Sequence, residues 1–320
     1  LAKKSAACLP KGGAVESPEG TGVLQPIACR VLMKVLYAAR LARFDLLRAT
    51  CLLATRITKW SRTCDRMLHR LMCYIDSTLP YRMTCKVCDP PEDVHLQLWC
   101  DADFAGDRES RKSTSGVFLA LRGPRGTSFG LSACSKKQSC ISHSTPEAEL
   151  VSLNFGLRTE GLPALTLWEV LLSRKVKLCI SEDNQATIRI IEAGRSPALR
   201  HLHRVHDVSL KWLHERIAGD KQIELSYCVS SEMAADVFTK AFVCKEKWSQ
   251  VLGLIGRHQS LSQGGLGPPK GGAVKETKKT KAPVSCSSGS SDPAPPRTAP
   301  RASAACVALG PAMPGPPTYD

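Results

Sequence analysis

The sequence predicts an α/β domain: a five-stranded mixed sheet flanked by helices, with a helical segment before it and a low-complexity tail after it. Three observations predict this. Short alternating or apolar runs bounded by turn residues recur from about residue 94 to residue 227, as strands do. Helical periodicity fills the gaps between the later runs. The order is three strands, then helix, strand, two helices, strand and helix, which gives three antiparallel strands and then two parallel ones.

The first residues, 1–25, are rich in Gly and Pro and read as a disordered flank. From about Pro26 to 90 the chain reads as helical. "RVLMKVLYAARLARFDLLRATCLLATRI" carries apolar residues at helical spacing without Gly or Pro, and "CDRMLHRLMCYIDSTL" is a second amphipathic stretch. Pro80, Pro90 and Pro91 bracket a linker. The sheet domain is assigned to residues 91–256. "VHLQLWC", "SGVFLAL" and "GTSFGLSAC" are its first three strands. "HSTPEAELVSLNFGLRTEGL" opens a helix, with Ser144 or Thr145 as cap and Pro146 in the first turn. "VKLCIS" is the fourth strand and "EDNQATIRIIEAG" a helix ending at Gly194. "VHDVSLKWLHERIAG" reads as one helix, "QIELSYCV" as the fifth strand and "EMAADVFTKAF" as the last helix. Residues 257–320 hold 11 of the 21 prolines, with Gly, Ser, Ala and Lys between them. Such a composition buries too little apolar surface to offset chain entropy and reads as disordered. The stretch Lys270 to Lys281 reads as a solvated basic linker. "PKGGAV" occurs at Pro10–Val15 and again at Pro269–Val274, both times in these flanks.

With 320 residues, 43% of them hydrophobic, the chain is long enough to bury a core. A net charge of +15 and a pI of about 9.3 favour a polyanionic partner, nucleic acid ahead of an anionic membrane. No apolar run reaches the length of a membrane-spanning helix, so no membrane partner is expected. The first residue is Leu1 and not Met, which reads as a fragment whose upstream signals are out of view. The 15 cysteines are scattered and do not form a compact disulfide framework. They suggest reduced thiols in an intracellular protein, cytoplasmic or nuclear. Cys85 and Cys88 form a Cys-x-x-Cys pair with no second pair to complete a zinc site.

Four acids stand out by position. Asp101 ends the first strand, Glu149 lies in the first turns of the first helix, Asp183 ends the fourth strand and Asp236 lies early in the last helix. Acids at adjacent strand ends converge on one sheet edge. With a helix glutamate and a further aspartate, they suit two Mg²⁺ or Mn²⁺ ions, which prefer oxygen ligands. Two such ions clamp the attacking and leaving oxygens of a phosphodiester displacement. Arg108, Arg111, Lys112, Lys136 and Lys137 would then hold backbone phosphates. Each acid also has an ordinary reading. Asp183-Asn184 suits a helix cap, Glu147 and Glu149 suit a helix N-terminus, and Asp103 and Asp107 suit turns.

"CDADFAGDRESRKSTSG", "SKKQSCISHSTPEAEL", "EDNQATIRII" and "AADVFTKAF" resemble, in order and spacing, the signature blocks of the ribonuclease H domain of copia-type LTR-retrotransposon Pol polyproteins. The resemblance runs from about Val94 to Gly253. The helical segment before it resembles the end of the reverse transcriptase and its connection. "SPALRHLHRVHDVSLKWLHE" resembles the family's basic segment and helix between the fourth and fifth strands. The resemblance implies a ribonuclease H-like fold and an Asp-Glu-Asp-Asp metal site at Asp101, Glu149, Asp183 and Asp236. Helix geometry leaves Glu147 and Glu149 both open, since they lie roughly 200° apart. The choice of Glu149 rests on the resemblance.

The implied activity is two-metal hydrolysis of the RNA strand of an RNA/DNA hybrid, told from DNA duplex by its 2′-hydroxyls. The implied partners are the hybrid and the reverse transcriptase portion of the same polyprotein. The nucleic-acid-binding set comprises Arg108, Arg111, Lys112, Ser113, Lys136, Lys137, Gln138, Asn184, Gln185 and Arg204. Two readings compete: an inactive transposon remnant that only binds nucleic acid, and another two-metal nuclease on a related fold. "STPEAEL" and "AADVFTK" favour the ribonuclease H. There are departures from the family pattern. "YCVSSEMAAD" lacks the mobile histidine of many ribonucleases H, and Cys100 and Phe104 replace the commoner Ser and Trp. No Tyr-x-Asp-Asp motif is present, so polymerase activity is not expected here.

His201, His203 and His206 have the residue types of a zinc site, but read better as a basic segment leading into a helix and touching nucleic acid. Trp60, Trp99, Trp168, Trp212 and Trp248 lie among apolar neighbours and read as core.

Overall fold

The computed structural model describes residues 20–259. The expectations for residues 1–19 and 260–320, including both PKGGAV copies, lie outside the described residues. All described residues belong to one unit.

Three helices come first: α1 (Gln25–Leu41), α2 (Leu47–Ala54) and α3 (Arg62–Ser77). The sheet follows, with strands β2 (His95–Asp103), β3 (Thr114–Arg122), β4 (Ser128–Lys137), β5 (Leu178–Glu182) and β6 (Ile223–Tyr227); a short β1 (Tyr81–Met83) precedes them. The spatial order is β4-β3-β2-β5-β6. The pairs β2–β3 and β3–β4 are antiparallel, whereas β5 runs parallel to β2 and β6 parallel to β5. This is the expected mixed sheet, three antiparallel strands and then two parallel ones.

Strand alternation gives the sheet two apolar faces. Leu96, Leu98 and Cys100 of β2 join Val117, Leu119 and Ile180 beneath α4 (Thr145–Gly156), α6 (Gln185–Ala193) and α8 (Leu210–Ala218). Trp99, Phe118 and Ala120 look the other way. They share one core with Leu32 of α1, Leu53 of α2, Leu68 of α3 and Phe238. The helical segment is therefore built into the sheet domain and covers one of its faces. All five tryptophans are buried or half-buried in these two cores.

Local chemistry explains the element ends. Ser144 caps α4 by accepting from the Glu147 N–H at 3.3 Å. Asn184 caps α6 by accepting from the Ala186 and Thr187 N–H groups. Gly194 ends α6 in the left-handed region, at φ 64°. A wide turn at Leu157–Gly161 links α4 to α5 (Leu162–Leu172), just before Pro163, whose ring cannot donate to a regular helical ladder.

Three expectations need correction. The helix read from Val205 is two helices, α7 (Leu202–His206) and α8. Asp207 takes φ 54° between them, and Ser209 caps α8 from Trp212 N–H at 3.2 Å. The helix read over "EMAADVFTKAF" shrinks to α9 (Asp236–Thr239), and α10 (Lys245–Leu254) follows it, seated by Val251 and Leu252. Arg257–Gln259, read as the start of the tail, is strand β7 and pairs antiparallel with β1. Arg257 is buried and donates to Tyr81 O at 2.8 Å and Thr78 O at 3.2 Å. Among the described residues no helix is long and apolar enough to cross a membrane.

Candidate active site

Asp101 lies near the end of β2, opposite Gly116 of β3. It is 1% exposed, and Thr239 of α9 donates its hydroxyl to Oδ2. Its backbone carbonyl accepts from Ser152 of α4 at 2.8 Å, which locks the helix against the strand. Gly116 is required there. A Cβ at that position would meet Thr239 Cγ2 at 2.5 Å and Ala235 O at 2.9 Å. The missing side chain lets α9 lie close enough to bring Asp236 to the sheet.

Asp183 follows β5, and its Oδ2 accepts from Ser230 at 3.0 Å. Glu149 projects from the second turn of α4 and is 3% exposed, with Oε2 buried and unpartnered. Oxygens of Asp101, Glu149 and Asp183 all lie within 4.8 Å of one another. Asp236 joins them through Lys240. The ammonium lies 2.6 Å from Asp236 Oδ1, 3.5 Å from Asp101 Oδ1 and 4.0 Å from Asp183 Oδ2. The four acids named from sequence are thus brought to one edge of the sheet.

Burial is the first influence on the protonation of Asp101, Glu149 and Asp236. Burial, then Asp101, pushes the Asp236 carboxyl up to about 7. Burial, then Glu182 and Asp101, holds Glu149 well above the ordinary range. Burial also raises Asp101, although Lys240 and Thr239 oppose it. Four crowded carboxyls with an orphaned buried oxygen form an all-oxygen donor set, which fits a hard divalent cation.

Glu147 has a different environment from Glu149. Its Oε1 meets His206 Nε2 at 2.9 Å and His201 Nε2 at 3.2 Å, and its Oε2 accepts from His143 N–H at 2.9 Å. Burial pushes this carboxyl up, but the His143 N–H and the two imidazoles outweigh it and hold it below the ordinary range. His203 points to solvent. The three histidines therefore form no metal-sized group, and two of them fasten α7 and the turn before it to α4.

The residues expected to touch nucleic acid divide into two sets. Arg108, Arg111, Lys136, Gln185 and Arg204 are exposed. Lys136 also lies 4.6 Å from the centre of the Phe155 ring. The others are engaged within the protein. Lys112 donates to Ser139 O, and Lys137 pairs with Asp107. Asn184 spends its side chain on the α6 cap. Ser113 is fully buried and accepts from Ala105 N–H at 3.1 Å. Gln138 is buried, donating to Ser115 and to Ala148 O and accepting from Ser142. Burial removes Ser113 and Gln138 from the surface a nucleic acid can reach. Asp103 accepts from Thr114 N–H, and Asp107 from Ser110 at 2.6 Å, so both serve the turn that presents Arg108 and Arg111.

Comparison with known proteins follows the same line. No protein-family model matches the chain. Over 175 residues it is 27% identical to the retrovirus-related Pol polyprotein from transposon TNT 1-94 of Nicotiana tabacum. The chain resembles a retrotransposon Pol polyprotein. The match takes in 54% of this chain and 12% of the length of that relative. Two solved structures are similar at low identity. LC11-RNase H1, isolated from compost by a metagenomic approach, is 12% identical with a TM-score of 0.29, over 45% of this chain and 92% of that one. Prototype foamy virus protease-reverse transcriptase is 12% identical with a TM-score of 0.27, over 46% of this chain and 19% of that one.

Two residues of the acidic site escaped the sequence reading. Glu182 is fully buried beside Glu149, accepts from Asn184 N–H at 3.2 Å, and leaves Oε2 unpartnered. Its signal was the pair of acids, Glu182 and Asp183, where the fourth strand ends. Lys240 was signalled by its place one helical turn after Asp236.

Proposed function

We propose that this chain is a metal-dependent nuclease of the ribonuclease H type, hydrolysing the RNA strand of RNA/DNA hybrids. Asp101, Glu149, Asp183 and Asp236 would hold Mg²⁺ or Mn²⁺, two ions in all. The observation that carries the reading is the convergence of three carboxylates within 4.8 Å, two buried and one half-buried, one of the buried pair with an oxygen that has no partner. A bound divalent pair supplies an acidified water and a clamp on the transferring phosphate.

The protein's own part is positional. Thr239 and Ser152 fix Asp101, Ser230 fixes Asp183, and the tight contact at Gly116 seats Asp236. Arg108, Arg111 and Arg204 stand at the surface to take backbone phosphates without reading sequence. The hybrid and a reverse transcriptase segment of the same polyprotein are the proposed partners, and the proposed site of action is intracellular, cytoplasmic or nuclear.

The test is cleavage of a labelled RNA/DNA hybrid by the full chain in Mg²⁺, beside Asp183→Asn. Cutting that disappears in the variant supports the assignment. Equal cutting by both removes Asp183 from the site. A folded parent that binds hybrid in Mg²⁺ without cutting it leaves the remnant reading in its place.

A further inference from the structure

We infer that Lys240 is a built-in counter-ion of the acidic cluster, which competes with divalent cations for the same carboxylate oxygens and so sets the affinity of the site. The inference rests on the metal-holding role proposed above for the four acids. Its ammonium makes ion pairs with Asp236 at 2.6 Å, Asp101 at 3.5 Å and Asp183 at 4.0 Å, three carboxylates from three separate elements. No single helical salt bridge has that reach. It is the arrangement of a cation centred among oxygen donors.

Geometry also lets the ammonium leave. Lys240 follows the last residue of α9 with an extended backbone, at φ −96° and ψ 150°. Its side chain is 40% exposed, while those of Asp101 and Asp236 are 2% and 8% exposed. It also borders a cavity lined by Asp45, Arg48, Met67 and Trp248, so the stem can swing aside without disturbing the core. Asp101 and Asp183 are held by Thr239 and Ser230, whereas the lysine is partly exposed. A divalent ion, with twice the charge and a demand for several oxygens at once, displaces it. The lysine also has a purpose before that exchange. Buried carboxylates without a partner repel one another at high cost, and Lys240 offsets that repulsion until an ion arrives.

Mn²⁺ titration by calorimetry, with the full chain and its Lys240→Met and Lys240→Arg variants, tests the inference without any activity readout. Removing one partly screened charge is expected to tighten Mn²⁺ binding by about tenfold in Lys240→Met, with Lys240→Arg close to the parent. Equal or weaker binding by Lys240→Met, where the parent binds, overturns the counter-ion role alone. No binding by any of the three overturns the metal site itself. If Lys240→Met does not fold without metal, the parent decides: its ¹⁵N-labelled Lys240 ammonium signal is expected to change on adding Mg²⁺, and an unmoved signal at saturation overturns the inference.

Discussion

Glu147 and Glu149 lie two residues apart on one helix and occupy separate chemical worlds. Glu147 accepts hydrogen bonds from the His143 backbone and meets the imidazoles of His201 and His206, whereas Glu149 faces Asp101 and Asp183 with one oxygen unpartnered. Opposite effects of substitution follow. Glu149→Gln is expected to abolish Mn²⁺ binding and hybrid cleavage without lowering the melting temperature, because it keeps the shape and removes a buried charge. Glu147→Ala is expected to keep metal binding and to lose about 1–3 kcal/mol of stability, the cost of leaving buried partners unmatched. Calorimetry with Mn²⁺ and urea unfolding of the two variants would separate them, and loss of metal binding in Glu147→Ala would refute the division.

Gly116→Ala is expected to unseat α9. A methyl at that position is forced against Thr239 and the Ala235 carbonyl. Overpacking of this kind costs roughly 1–3 kcal/mol and moves backbone. The displacement should appear as weakened Mn²⁺ affinity together with a lower melting temperature. A variant as stable as the parent would show that the contact relaxes freely.

The exposed arginines should act through charge alone. Arg108→Ala and Arg111→Ala are each expected to weaken hybrid binding uniformly across sequences, and each to reduce the salt slope of log K by about 1. Fluorescence anisotropy between low and moderate salt measures this directly. An unchanged slope would place the nucleic acid elsewhere.

Low pH should release the loop that carries them. Burial pushes the Asp107 carboxyl up, but Lys137 and Ser110 outweigh it and hold it below the ordinary range. A depressed carboxyl contributes order above its unfolded value, lost as pH falls through its folded one. Hydrogen exchange of the 107–112 amides should stay slow down to the ordinary carboxylate range and quicken only below it. Asp107→Asn should exchange fast at every pH.

Leu32→Ala tests whether the first helices belong to the domain. Leu32 is fully buried in the core it shares with Phe118 and Phe238. The truncation is expected to cost about 2–5 kcal/mol in one cooperative transition. A separate early transition, with the sheet melting unchanged, would make the helices an independent body.

The sheet was legible because its signal is local. Alternation in "VHLQLWC" and turn residues between runs specify strands, and the order of elements specifies their pairing. The acids were legible by their places at strand and helix ends. The sequence hid features that depend on distant partners. The Asp207 break and Ser209 cap interrupt a pattern whose apolar spacing continues across them. Arg257 reads as the start of a tail because its partners, Tyr81, Thr78 and Asp45, lie far back in the chain. Ser113 and Gln138 are named from sequence as nucleic-acid ligands, and only the fold shows their polar atoms used inside the protein. The different surroundings of Glu147 and Glu149 depend on His201 and His206, which no local rule connects to α4.

The pairing of Tyr81–Met83 with Arg257–Gln259, sealed by Arg257 against Asp45, also sets a timetable for synthesis. The first helices leave the ribosome long before Phe118 and Phe238 exist to cover them. Asp236 arrives later still, and the closing strand last among the described elements. Folding that waits on such distant contacts is slow, so a nascent chain carries its first apolar helices uncovered, and no cation can be gripped by all four carboxylates until Asp236 has been made.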